Sequence, residues 1–186
     1  MTQDIVKAES GSQGIDADRD QSQYLTFLLG SEMFAIDILN IREIIEYGQI
    51  TEVPMMPAFV RGVINLRGSV VPVIDLQVRF GRGTTEVGKR TCIVIVEVTA
   101  EESQQTIGVV VDAVSEVLGI PEQDIEKAPS FGANIRQDFI QGMGKVDNKF
   151  IIILNVGRVL SVEELAQLSE AKNLEDPEGG LGQEVE

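Results

Sequence analysis

The sequence predicts a mainly β protein built as two small lobes packed together. Short runs rich in β-branched and aromatic residues are separated by polar turns, as in barrels and sandwiches. Several of these runs are apolar on both faces, which requires cover on both sides, as when two small barrels press together. The two halves of the chain also repeat one order of elements. The predicted strands are residues 24–29, 33–38, 69–74, 92–98, 106–111 and 150–154.

The repeat can be aligned residue by residue. Residues 34–45 lie over 107–118 at an offset of 73, which places Glu43 over Glu116. Residues 60–76 lie over 140–156 at an offset of 80, and both segments run from glycine through strand, polar turn and strand to Asp or Asn. We infer a duplicated β unit. The alternative is that two β-hairpins look alike at this level without being a repeat.

A second pattern follows the strand at residues 33–38 and its counterpart in the other half. Apolar residues recur there at a spacing of 0, 3, 6 and 7, which predicts a strand followed by a helical turn. Branching at Cβ weakens this helix prediction. The residues are Ile38, Ile41, Ile44 and Ile45 in one half, and Val111, Val114, Val117 and Leu118 in the other.

Composition divides the chain into a body and two acidic ends. The ends, residues 1–23 and 161–186, carry net charges of −3 and −7 out of −15. We expect residues 1–23 to form a flexible tail, 24–160 a domain of two lobes with a break near 83–90, 161–172 a short helix and 173–186 a second flexible tail. The lobe boundary stays open, because a first strand or the last helix could pack on the other lobe.

Several function classes are excluded by what the sequence lacks. No run approaches the ~20 apolar residues of a membrane span and no secretory signal is present, which predicts a cytoplasmic protein without direct membrane contact. No cluster of Lys and Arg suits nucleic acid. The chain has no histidine, no paired carboxylates and no phosphate-binding loop, so we expect no enzyme activity, metal or cofactor. The single cysteine, Cys92, lies in an apolar run and is expected to be buried.

The most distinctive stretch, residues 57–76, is predicted to form a hairpin. Asn65 and Gly68 occupy the first and last positions of its turn, where glycine supplies a positive φ. Pro72 cannot donate to a strand ladder, which favours an edge or bulged position. Asp75 can cap the turn that follows, and Asp112 is interpreted in the same way in the other half.

This hairpin resembles the signature of the CheW family, the coupling proteins of bacterial chemotaxis. Residues 34–38 running into 41–44 resemble the family's opening hairpin, and 108–117 resemble its second lobe. The resemblance covers roughly residues 24–168. It implies two SH3-like five-stranded β-barrel lobes packed together, with short helices including one near the C-terminus.

The role implied by the resemblance is that of a scaffold without catalysis. Family members bind the cytoplasmic tip of chemoreceptors and the regulatory domain of the histidine kinase CheA, and are thereby recruited to membrane receptor arrays. Self-association in rings is left open. The alternatives are the same adaptor role in a pathway for pili, biofilm or development, and, from another class, a small-molecule-binding β-barrel.

Candidate contact residues follow from the resemblance and from residue chemistry. For the receptor we predict Arg67, whose planar fork can reach carbonyls or carboxylates, with Val114, Val117 and Asn65. For the kinase we predict Ile41, Gly62 and Glu43. The alternatives are a solvated turn arginine for Arg67 and core positions for Ile41 and the valines. Gly68, Pro72 and Asp75 are predicted to serve the turn and cap.

Overall fold

The computed structural model describes residues 21–100, 103–129 and 137–160, and this part of the chain is mainly β, as predicted. The predicted helix 161–172 and the tail 173–186 lie outside the described residues, as do residues 1–20. The strands are β1 Gln21–Leu29, β2 Glu32–Asp37, β3 Ile41–Glu46, β4 Val60–Leu66, β5 Ser69–Asp75, β6 Cys92–Ala100, β7 Ser103–Val111, β8 Ala113–Pro121, β9 Ile125–Glu126, β10 Ile140–Val146 and β11 Lys149–Leu154. Two helical turns are α1 Leu76–Arg79 and α2 Val156–Val159, and 3₁₀ turns lie at Ile38–Asn40, Glu122–Asp124 and Gln137–Phe139.

The strands form two sheets, one for each lobe. The first sheet has the order β3-β6-β7-β5-β4, and the second has the order β8-β1-β2-β11-β10-β9. β5 and β7 pair in parallel, and so do β11 and β2. The first five strands of the second sheet therefore repeat the order and direction of the first, which supports the inferred duplication. The prediction of five strands per lobe holds for the first sheet, and the second adds the two-residue β9.

The lobes exchange strands, and the predicted break near residues 83–90 is wrong as a boundary between sheets. That segment joins β5 to β6, and both strands belong to the first sheet. The chain instead starts in the second sheet, leaves it after Asp37 and returns at Ala113. β1 also begins three residues before the predicted start of the domain, at Gln21.

A short helical turn follows residue 37 as predicted, but the helix predicted to continue from it and the one predicted after residue 111 are both strands. Residues 38–40 form a single 3₁₀ turn, after which β3 is extended, and β8 is extended from Ala113. Each strand contains a β-bulge, where the register shifts by one residue. Because a bulge adds one residue, side chains three apart come to lie on the same face of a strand. The spacing of three that suggested a helix is therefore the signature of a bulged strand.

Within the described part of the chain, apolar side chains fill three cores, as expected for strands that are apolar on both faces. Five residues inside the second lobe and six inside the first form the two lobe interiors. The largest cluster lies between the sheets and takes residues from both; we call it the shared core. Its buried members are Leu25, Phe27, Leu29, Phe34, Ile36, Ile74, Leu76, Phe80, Val94, Val96, Val98, Ile107, Val109, Val111, Phe139, Leu154, Val156, Val159 and Leu160.

Asp75 is fully buried at the end of β5 and all its bonds are made within the first lobe. One carboxylate oxygen accepts from the Gln77 backbone N–H at 3.0 Å, which caps α1 as predicted, and from the Thr85 hydroxyl at 2.7 Å. The other accepts from the Thr85 N–H at 2.9 Å and pairs with Arg61 at 3.1 Å. Arg61 also donates to the Thr85 carbonyl and to the Tyr47 hydroxyl. The carboxylate therefore fixes the loop after α1 and the segment after β3 to the hairpin.

We predict that Asp75→Asn lowers the free energy of unfolding by about 3 kcal/mol. The amide would place an N–H group against donors of Arg61 and Thr85, leaving the half-buried Arg61 cation with an incomplete partner. Urea unfolding followed by far-UV circular dichroism measures the change. The matched control is Asp37→Asn, since Asp37 is half-buried and caps Leu39 N–H through one oxygen. Equal stability losses in the two variants would contradict the role given to the Asp75 network.

Candidate functional site

The turn between β4 and β5 is centred on Arg67 and Gly68, one residue later than the frame predicted from the sequence. Both residues have positive φ, 52° and 87°, which is the two-residue hairpin geometry that suits the twist of paired strands. The side-chain oxygen of Asn65 accepts from the Gly68 N–H at 2.8 Å. The positive φ predicted for Gly68 is confirmed, and the amide oxygen of Asn65 is used inside the turn.

Arg67 is held by Glu43 across the mouth of the first lobe. Its two terminal nitrogens donate to the two carboxylate oxygens at 2.9 and 3.0 Å. β3, which carries Glu43, and β4 are opposite edges of the sheet, so the pair joins these edges. In the segment that follows β3, Thr51 also forms a backbone bridge with Val63 of β4. The Arg67 side chain remains 70% exposed, so the guanidinium can still be approached from solvent.

Gly62 is buried at a bulge of β4 and has a φ of 147°, which side chains rarely adopt. A Cβ built there would overlap the backbone carbonyl oxygen of Thr51, because the segment at Thr51 pairs with β4 at Val63. The close approach of two backbones therefore requires glycine. The contact predicted between Gly62 and a kinase remains a prediction.

Pro72 was expected at an edge or bulged position, but β5 is an inner strand of the first sheet, and Pro72 is accommodated in a section of it that is open on one side. β5 pairs with β7 only from Val73 onward, so β4 alone flanks Pro72. Its partner in β4, Val63, directs both its N–H and its carbonyl to Thr51. The Pro72 nitrogen therefore faces the side where no strand follows, and its missing N–H breaks no ladder bond.

The other predicted contact residues lie along the edge strands β3 and β8. Ile41 and Val114 are half-buried and pack against the shared core, so they are neither fully exposed nor fully core. Val117 is 45% exposed. Ile44, the repeat counterpart of Val117, is 43% exposed and is a further contact candidate that was not predicted from the sequence.

These four residues face the same side of their sheets. Directly opposite residues of paired strands share a face, and the partners of all four are members of the shared core. We call the four residues the inter-sheet margin. The pairs are Ile41 with Val96, Ile44 with Val94, Val114 with Phe27 and Val117 with Leu25.

The described residues offer little reactive chemistry. No group of three or more Asp, Glu or Cys side chains within them could hold a metal ion, and none of their helices could span a membrane. Burial raises the pKa of the half-buried Cys92 thiol, and the nearby Glu46 carboxylate raises it further. Burial also raises the pKa of Tyr24; a hydrogen bond with Ser22 opposes the shift, and acidic neighbours add to it. Both groups are therefore less ionised near neutral pH than in water.

Comparison with known proteins identifies relatives of this chain in sequence and in structure. A family model of the CheW-like domain matches residues 23–164. The chemotaxis protein CheW of Klebsiella aerogenes is 35% identical over 144 residues, which cover 77% of this chain and 84% of that protein. The chemotaxis protein CheW of Helicobacter pylori is 33% identical over 154 residues, covering 83% and 90%. The crystal structure of the scaffolding protein TtCheW from Thermoanaerobacter tengcongensis is similar with a TM-score of 0.68 at 38% identity, covering 75% of this chain and 87% of that one.

We predict that Gly62→Ala destabilises the protein by more than about 2 kcal/mol, because the backbone conformation is strained for any side chain and the new methyl group meets the Thr51 carbonyl. Chemical denaturation of both variants and wild type gives the free energies of unfolding. Gly48→Ala serves as the control, since a Cβ there has no neighbour within 4 Å and the φ is not in the positive range. The structural role of Gly62 would be refuted by a stability loss no larger than that of the control.

Proposed function

The chain belongs to the CheW family, and from this we propose that it couples chemoreceptors to the regulatory domain of the histidine kinase CheA. It is an adaptor in chemotaxis signalling and acts without catalysis, as its relatives do. The observation that carries the proposal is an exposed arginine, held by one carboxylate, on a hairpin turn that an internal hydrogen bond closes. Coupling requires only surfaces that recognise two partners, and we place the protein in the cytoplasm, where the receptor tips lie.

For the receptor we propose the exposed Arg67 turn together with the second lobe's part of the inter-sheet margin. The margin offers aliphatic surface from Val114 and Val117, which can cover the apolar stripe of a receptor helix. Arg67 can donate in parallel to a carboxylate or to carbonyls at a helix end. Asn65 supports this contact by fixing the turn, since its oxygen is bonded to Gly68.

For the kinase we propose a surface on the first lobe around Ile41, Glu43 and Gly62. The first two lie on β3, an edge strand, so barrel-to-barrel pairing can use this side of the lobe. Gly62 is buried and contributes through the backbone that it allows to pass Thr51. The kinase would therefore recognise the backbone surface of this lobe as well as its side chains.

The Arg67–Glu43 pair links the two proposed surfaces. An exposed ion pair contributes only about 0–1 kcal/mol, so a partner carboxylate can replace Glu43 at little cost. Binding of a receptor to Arg67 would then leave Glu43 without its partner, on the strand assigned to the kinase. Contacts that differ between free and bound states are what shifts populations in a signalling array.

We predict that Arg67→Ala weakens binding of a receptor-tip fragment at least about tenfold, because a charge-assisted hydrogen bond contributes about 1.5–3 kcal/mol. Kinase regulatory domain binding should change far less. Titration calorimetry with each partner gives both affinities. The matched control is Glu43→Gln, which weakens the internal pair but keeps the guanidinium, and should retain receptor binding. Wild-type affinity of Arg67→Ala for the receptor tip would contradict the assignment.

The kinase arm of the same experiment uses Ile41→Ala, which should weaken kinase binding and spare receptor binding. Because Ile41 packs against the shared core, circular dichroism must first show that the variant is folded. Arg42→Ala is the control, since Arg42 is the exposed neighbour of Ile41 and pairs loosely with Glu97 at 3.6 Å. The kinase assignment fails if the two variants bind the kinase equally well.

A further inference from the structure

The mouths of the two lobes are equivalent positions of the repeat. The first mouth is a cleft of about 410 Å³ next to Arg67, and the second is a larger cleft of about 710 Å³. Each of the nine residues that line the first has its repeat counterpart in the lining of the second. The counterparts are Arg42 and Ser115, Leu66 and Val146, Arg67 and Asp147, Ser69 and Lys149, Val70 and Phe150, Val71 and Ile151, Pro72 and Ile152, Gln105 and Glu32, and Thr106 and Met33.

The second mouth keeps the carboxylate of the first but lacks its arginine. Glu116 stands at the repeat position of Glu43 and lines the second mouth, and Asp147 stands at the position of Arg67. Asp147 also has the positive φ of its counterpart, 49° against 52°, so the turn carries it in the same way. No ion pair found among the described residues involves Glu116 or Asp147. A guanidinium is thus present at the first mouth and replaced by a second carboxylate at the other.

The surroundings of the second mouth suit an arginine from another protein. Its remaining charged groups are Lys149 and Glu32, and Glu32 is paired with Arg82 at 3.0 Å, so the rim keeps one excess negative charge. Phe150 is 50% exposed at the rim, and Met33 and Met143 line the cleft. Aromatic faces and flexible thioethers accept the flat guanidinium and apolar neighbours in a partner's chain.

We propose that the second mouth binds an arginine of a partner protein, with its guanidinium between Glu116 and Asp147 and an adjacent apolar side chain against Phe150. The partner thereby supplies the group that Arg67 supplies internally at the first mouth. Arginine suits this position better than lysine, because its fork can serve two carboxylates at once. The inference rests on the proposed function only in that the partner is taken to be a protein. It concerns the mouth of the second lobe, which neither Arg67 nor Glu43 lines.

The test titrates the ¹⁵N-labelled full chain with the peptide acetyl-Phe-Arg-Ala-Leu-amide and with the same peptide carrying citrulline, a neutral isostere, in place of arginine. We expect the arginine peptide to shift the amide signals of Glu116, Asp147 and Phe150, and the citrulline peptide to bind roughly tenfold more weakly. Equal binding of the two peptides, or shifts confined to other regions, would overturn the proposal.

Two variants make the result specific. Asp147→Arg should create in the second mouth an arginine–carboxylate pair like that of the first lobe, and should thereby abolish peptide binding. Glu116→Gln should weaken peptide binding, because it removes the charge without changing the shape of the side chain. Glu122→Gln, an exposed carboxylate outside the cleft, should bind as wild type does. Unchanged binding in Asp147→Arg and Glu116→Gln refutes the site. A peptide that fails to bind the wild-type chain while the receptor tip still binds refutes this inference and leaves the proposed function intact.

Discussion

Burial on both faces of the central strands is the constraint on which this structure depends. Along β6, Ile93 and Ile95 point into the first lobe, whereas Val94 and Val96 point into the shared core. Each such side chain contributes about 1.5–3 kcal/mol only if its face is covered. The shared core holds 19 buried residues among those described, against 11 in the two lobe interiors together. Neither sheet alone could therefore bury the apolar side chains on both faces of its strands.

Strand exchange turns this shared burial into a fixed orientation of the lobes. The chain crosses between sheets after Asp37 and again near Asp112, whose carboxylate accepts from the Gly30 N–H at 2.6 Å and from the Gln77 side chain. Arg79 adds a further contact, since its guanidinium lies 4.8 Å from the ring centres of both Phe59 and Phe139. The proposed role, in which one adaptor holds two partners in a defined geometry, needs lobes with a fixed relative orientation, because mobile binding surfaces would lose affinity to ordering.

Local patterns in the sequence carried much of the fold. The both-face apolar runs, the hairpin of residues 57–76 and the repeat offsets of 73 and 80 all predicted features that the structure contains. The spacing of Ile41 and Ile44 was misread as helical, because a bulge shifts the strand period by one residue and no local signal marks the bulge. The lobe boundary was missed for another reason. Which sheet a strand joins depends on distant partners, and β6 has the same composition whichever lobe it completes.

The sequence predicted which residues belong to the candidate site better than it predicted which of them contact each other. Arg67 and Glu43 were selected for different partners, and only the closed barrel reveals that they bond to each other. The Arg61–Asp75 pair was missed although both residues lie in the predicted hairpin, since burial of Asp75 depends on the later loop at Thr85. Ile44 could have been found from the repeat, because it aligns with Val117.

The most direct measurement is native-state hydrogen exchange in increasing urea, which resolves the opening free energy of each sheet. If the shared core makes one unit, amides of Val94 in the first sheet and Ile153 in the second should converge on the same global free energy of unfolding. Exchange of one sheet's amides through a separate, lower-energy opening, while the other sheet stays protected, would contradict this account.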